Sequence, residues 1–193
     1  MDKRTKILRS TAVVAVVGSL GALGVFAAFS SQTGNPGNSV TAGTVELADN
    51  DGDTALYSLP TAAPGDSATR CIQVTYSGSL PANVRIYTDD TIDALGSEVT
   101  LEIDAGTQVP FAADCTEFAA DTGGGLFNGS LADFAAARSD FTSGLVDHPG
   151  DSATEWVTSD AVVYRVTATL DADATLEGAT TGTHAFTWEA QNQ

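Results

Sequence analysis

Apolar side chains recur at every second position through much of this chain. Ile72, Val74 and Tyr76 share one phase, Val84 and Ile86 another, and Val99, Leu101 and Ile103 a third. Val162, Tyr164, Val166, Ala168 and Leu170 alternate with Val163, Arg165, Thr167 and Thr169. A strand sends successive side chains to opposite faces, so a period of two predicts half-buried β-strands. The run Ala185-Phe186-Thr187-Trp188-Glu189-Ala190 extends the pattern near the C-terminus. Turn formers punctuate these runs: Asp49-Asn50-Asp51-Gly52-Asp53, Pro60, Pro64-Gly65-Asp66, Ser77-Gly78-Ser79, Asp89-Asp90 and Gly106. Many short strands divided by regular turns predict an all-β fold, an antiparallel β-sandwich.

One stretch departs from that period. Leu131, Phe134 and Ala135 fall at i, i+3 and i+4, Ser130 is a good N-cap, and Asp133 follows it by three residues. These features predict a short helix over residues 130–138, packing one apolar stripe over an edge or end of the sandwich. It lies in a Gly-rich insertion, where Gly123-Gly124-Gly125 reads as a flexible loop. A hexapeptide also repeats: residues 64–69 recur letter for letter as residues 149–154. Pro-Gly suits a type II turn, with Gly at the position needing positive φ. A duplicated ligand loop is one reading. The preferred one is that each copy starts an equivalent strand, one in each sheet.

The N-terminus follows other rules. Lys3, Arg4, Lys6 and Arg9 precede an apolar run over residues 11–29 that ends in Ala27-Ala28-Phe29-Ser30. Val25 and Ala27 suit the −3 and −1 positions of a signal-peptidase site, which predicts cleavage between Ala27 and Ala28. The competing reading keeps the run as a membrane anchor, the one route by which this chain would meet a membrane. A Gly/Asn/Pro stretch then leads to the strand-like segment Ser39-Val40-Thr41-Ala42-Gly43-Thr44-Val45-Glu46-Leu47. The layout divides the chain into a signal peptide (1–27), a tether with a donor-type strand (28–48) and a sandwich domain (49–193). It suggests a secreted subunit whose free strand can pair with a neighbour.

Charge narrows the partners. The chain carries −17, the first 27 residues carry +3, and the remainder therefore carries −20, with four Arg and no Lys. A field of that sign repels nucleic acid and anionic lipid. Cys71 and Cys115 are the two cysteines, and an even pair in an exported chain reads as one disulfide. Two unpaired buried thiols are the alternative.

Catalytic motifs are missing from the sequence. His148 and His184 lie far apart, with no HExxH, no G-x-S-x-G and no phosphate-binding glycine loop. No catalytic carboxylate pair stands out, and the expectation is a protein that is not an enzyme. Asp49, Asp51 and Asp53 match the first half of an EF-hand loop and are a calcium candidate. However, Thr54 and Pro60 occupy the positions of the loop's Gly and Glu, so a solvated acidic turn is preferred and no cofactor is expected.

Taken in order, several of these motifs resemble the TasA/camelysin family of secreted biofilm-matrix proteins. They are the Ala27-Ala28-Phe29 junction; residues 39–47, similar to the family's S-x-x-A/S-G-T-L-D-L segment; and Leu59 through Pro64-Gly65-Asp66, similar to its L-x-P-G-D turn. Gly78-Ser79-Leu80 after a strand matches too, as does the run from Tyr164 through Leu170-Asp171 to Phe186, Trp188, Ala190 and Gln191. The two Cys and the Lys-free body are closer to actinobacterial relatives. The resemblance implies processing by a SipW-type signal peptidase and a jelly-roll sandwich whose N-terminal strand is donated to the next subunit. The product would be a fibre in the extracellular matrix or at the cell surface, with or without an accessory matrix protein. Val45 and Leu47 would face inward, with Val40, Ala42 and Thr44 on the other side. Some members carry a metalloprotease label, but this sequence has no zinc motif to match. A monomeric adhesin or carbohydrate-binding module is the second class of function, although Trp156, Trp188, Tyr57 and Tyr87 do not cluster in sequence.

Overall fold

The computed structural model of the protein describes residues 39–149 and 154–192. The predicted signal and the Ala27–Ala28 junction lie outside the described residues. Contacts divide the chain at Thr41/Ala42, and the larger unit, Ala42–Gln193, carries the fold.

Among the described residues, eight strands form two antiparallel sheets. In chain order they are β1 (Leu47–Asp49), β2 (Ser67–Tyr76), β3 (Asn83–Tyr87), β4 (Val99–Thr107), β5 (Ala119–Ser130), β6 (Leu145–Asp147), β7 (Ala161–Leu170) and β8 (Thr187–Gln191). The five-stranded sheet runs β1-β2-β7-β4-β5 and the three-stranded sheet β6-β3-β8. The alternating residues meet between them. Ile72, Val74, Tyr76, Val84, Ile86, Leu101, Ile103, Tyr164 and Val166 are all essentially inaccessible, as is Trp156 from the loop before β7. The all-β sandwich is therefore the architecture, built by the period-two pattern that predicts it.

The helix α1 (Leu131–Ala137) follows β5 without a break. Ser130 Oγ accepts the Asp133 backbone N–H at 3.0 Å, which satisfies one of the unpaired first-turn donors. Leu131 and Phe134 point into the core, and Phe134 packs edge-on against Phe127 and Phe186.

Two expectations need correction. Gly123-Gly124-Gly125 is not a loop but part of β5: Gly125 pairs with Asp104 of β4, and Gly123 and Gly124 lie at a register shift before the next pair, Gly106 with Ala120. The register needs glycine here: a Cβ on Gly124 would collide with the Ala105 carbonyl oxygen. The repeated hexapeptides also do not start one strand in each sheet. The first forms the expected turn, with Gly65 at φ +90° and Asp66 N–H donating to Ala63 O, and it leads straight into β2. Residues 150–153 of the second lie outside the described residues. The strand that follows is β7, which starts at Ala161 and pairs directly with β2 in the same sheet.

Cys71 and Cys115 are joined by a disulfide with Cα atoms 5.2 Å apart. The bridge ties the β4–β5 connection to β2, where the Cys71 N–H donates to Ala113 O at 2.9 Å. Two residues along the same edge, the Gln73 N–H donates to Asn50 Oδ1 at 2.8 Å.

Candidate functional site

The segment the sequence singles out as donor-type lies along the outer edge of the five-stranded sheet. Leu47, Ala48 and Asp49 pair with Tyr76, Thr75 and Val74 of β2. Upstream, the segment binds the turn after β2 instead. Ser77 N–H donates to Glu46 O, Ser79 N–H donates to Thr44 O, and Thr44 N–H donates to Ser79 Oγ, each at 2.9 Å. Within its own chain, Val45 and Leu47 are half-buried against the core, whereas Val40, Ala42 and Thr44 are exposed. Among the described residues, none before Cys71 belongs to the fully buried core. Two glycines set how closely the segment approaches. A Cβ on Gly43 would collide with Leu80 Cγ, and one on Gly78 would sit 2.7 Å from Thr44 O.

The acidic turn that follows is organised by its own backbone. Asp49 Oδ1 accepts from the Asp51 N–H at 3.3 Å, and Asp51 Oδ1 accepts from the Asp53 N–H at 2.8 Å. Gly52 and Asp53 both have φ of +61°. Asp49, Asp51 and Asp53 are thus close in the chain, with two of the carboxylates turned to local amides. Among the described residues no group of three or more His, Cys, Asp or Glu side chains is arranged to hold a metal ion.

Sequence spacing gives no hint of a second feature. A groove of about 600 Å³ opens between the connection after β1, the last residues of β7 and the start of β8. Leu95, Val99, Ala168 and Leu170 line its floor, and Tyr57, His184, Phe186 and Trp188 line its walls. The ring centroids of Tyr57 and His184 are 5.5 Å apart, and those of His184 and Phe186 are 6.0 Å apart. The hydrogen bonds identify the imidazole tautomer. Gly182 O can only accept, so His184 Nδ1–H donates to it at 3.1 Å, and Nε2 is left to accept from the Tyr57 hydroxyl at 2.5 Å. Burial pushes the Tyr57 hydroxyl well above the ordinary tyrosine range, so it stays a neutral donor. The other aromatics named from the sequence lie elsewhere. Trp156 is in the core, and the Tyr87 hydroxyl donates to Glu189 Oε2 at 2.7 Å on β3 and β8. His148 follows β6 and is not among the residues that line this groove.

The most strongly perturbed carboxyl is in the core rather than in the groove. Asp147 ends β6 and is 8% exposed, and its Oδ2 accepts from the Tyr164 hydroxyl at 2.9 Å. Burial raises its pKa to about 6, against the opposing pull of the Tyr164 hydroxyl and the His148 N–H.

No protein-family model matches this chain, and no curated protein matches it. The likeness to the TasA/camelysin proteins rests on the sequence motifs alone.

Proposed function

We propose that the protein is an exported, non-enzymatic structural subunit of extracellular or biofilm-matrix fibres, assembling head-to-tail by exchange of its N-terminal strand. One observation carries the reading. Residues 42–49 dock on the edge of β2 through main-chain hydrogen bonds and two half-buried side chains, and they contribute nothing to the inaccessible core. Such a segment can leave without dismantling the sandwich. An identical acceptor edge on a second copy offers it the same contacts, so exchange is nearly neutral in contact energy and favoured by concentration. Strand addition to a sheet edge is a general mode of association: backbone bonds supply affinity, and alternate side chains supply specificity. Each subunit donates one segment and accepts one, so the contact is heterologous and propagates as an open filament. A SipW-type signal peptidase would free the segment, a jelly-roll arrangement would frame the acceptor, and an accessory matrix protein is compatible with either.

The test compares the mature protein with a variant lacking residues 28–48, by light scattering and negative-stain microscopy. The full mature chain should form filaments, and the shortened chain should stay a folded monomer. Filaments that survive the deletion would end the strand-exchange reading.

The groove favours a second reading, a monomeric surface module binding a neutral saccharide. Tyr57, Phe186 and Trp188 offer apolar ring faces, and threonines on the connection before β8 offer hydroxyls. A glycan-array signal from strictly monomeric protein, lost in Tyr57→Ala, would favour it over assembly.

A further inference from the structure

We propose that Asn128 is an N-glycosylation site, and that its glycan blocks the sheet edge opposite the one that carries the N-terminal segment. Asn128-Gly129-Ser130 is the chain's one Asn-x-Ser/Thr triplet with x other than Pro. The fold places it where the chemistry needs it. Asn128 is exposed on β5, and β5 is the outermost strand of the five-stranded sheet. Its neighbour Phe127 turns inward to pack on Phe134, and so Asn128 projects from the opposite, outer face. The amide Nδ2 donates to Glu102 Oε1 at 2.6 Å, a surface hydrogen bond that costs little to replace. Beside it lies a shallow polar depression of about 350 Å³, lined by Glu102, Asp104 and Arg165, which gives room and partners to the first sugar's hydroxyls. Ser130, the hydroxyl residue of the triplet, has extended backbone at φ −71° and ψ 150°.

The reaction balances with a lipid-linked saccharide as donor. The Asn128 amide nitrogen bonds to C1 of the first sugar and the C1–O bond to the polyprenyl phosphate breaks. The lipid phosphate leaves with the electron pair, and the amide loses one proton to the transferase. A membrane oligosaccharyltransferase meeting the chain during export supplies both donor and base. The proposal rests on the export part of the reading above, and not on assembly. Its consequence is directional. An outermost strand presents unpaired N–H and C=O groups that invite pairing, and a hydrated glycan there would prevent it. Pairing is then left to the β1–β2 side.

The experiment maps peptide masses of protein recovered from outside its native host cells, after digestion at acidic residues. The peptide containing Asn128 should carry an added saccharide mass. That mass should vanish in Asn128→Gln and in Ser130→Ala, and should persist in Ser130→Thr, which keeps both the triplet and the helix cap. An unmodified Asn128 peptide from exported protein overturns the glycan and leaves export standing. An added mass that survives in Asn128→Gln overturns the assignment to this residue. Protein found only inside the cell overturns export and the glycan together.

Discussion

Replacing Asp147 by Asn should make the protein more resistant to unfolding at pH 8 than at pH 4, relative to the native chain. Asp147 is buried between β6 and β7 with one direct side-chain donor, Tyr164, at 2.9 Å. Burial disfavours its charged form and lifts the pKa from 3.8 to about 6. A carboxyl raised in the folded state binds its proton more tightly there than in the unfolded chain. Its contribution is therefore fully present below pH 3.8 and is lost as the pH rises through about 6. A difference of about two pKa units corresponds to about 3 kcal/mol between the two ends of that window. Asn has the same shape, does not ionise, and can still accept from Tyr164 through its amide oxygen. The difference in unfolding free energy, Asp147→Asn variant minus native, should thus climb by about 2.5 kcal/mol between pH 4 and pH 8, because the unfolded carboxyl is already half-ionised near pH 4. The comparison cancels surface carboxylates such as Glu98 and Asp140, whose pKa values are lowered by backbone N–H groups and whose effect runs the opposite way. Urea unfolding followed by tryptophan fluorescence suits the measurement, because Trp156 Nε1 donates to the Asp147 backbone carbonyl at 2.8 Å. A difference that stays flat with pH, or shrinks as pH rises, would refute the reasoning.

Gly43→Ala should loosen the N-terminal segment without unfolding the sandwich, since the new methyl must displace the Leu80 side chain. Hydrogen exchange should then accelerate at the Ser77 and Ser79 amides, which donate to Glu46 and Thr44, while amides of β7 stay unchanged; unaltered exchange at both serines would count against it. Replacing Cys71 and Cys115 together by Ala should lower stability by about 4 kcal/mol, the chain-entropy effect of a 44-residue separation. A urea midpoint within error of the native one would contradict that. Ser130→Ala, made in a host that adds no glycan, should cost about 1 kcal/mol through loss of the Asp133 cap, and Ser130→Asp should restore most of it. Calcium titration calorimetry on native protein and on Asp51→Ala should give matching traces, because Asp51 Oδ1 already serves the Asp53 amide; a binding heat present only in the native chain would restore the calcium candidate.

The strands were legible where packing follows alternation. In β2, β4 and β7 one face is core, so Val74, Leu101 and Val166 announce themselves through their spacing. The helix was legible because capping is local: Ser130 and Asp133 lie within one turn of each other. The turn at Pro64-Gly65 was legible for the same reason. β5 was not. Glycine has no side chain to carry a period, and Gly123, Gly124 and Gly125 signal a loop by every local rule. They stand in a strand because the tertiary contact, a backbone carbonyl at Ala105, leaves no space for a Cβ at Gly124. The aromatic groove was hidden for another reason. Tyr57 and His184 are 127 residues apart, and no local rule connects them. The pairing of β2 with β7, on which the repeat was misassigned, is likewise non-local.

The edge of β2 is closed by unlike means along its length. β1 covers Val74 to Tyr76, the Asn50 side chain occupies the Gln73 amide, and the disulfide-held Ala113 carbonyl occupies the Cys71 amide. A strand sliding two residues along this edge would meet donors already spent, while in its own register it meets open ones. The filled amides therefore act as a register stop. They discriminate by denying hydrogen bonds to a slipped partner, so the fidelity of any strand exchange here would depend on a side chain and a cross-link outside the exchanged segment.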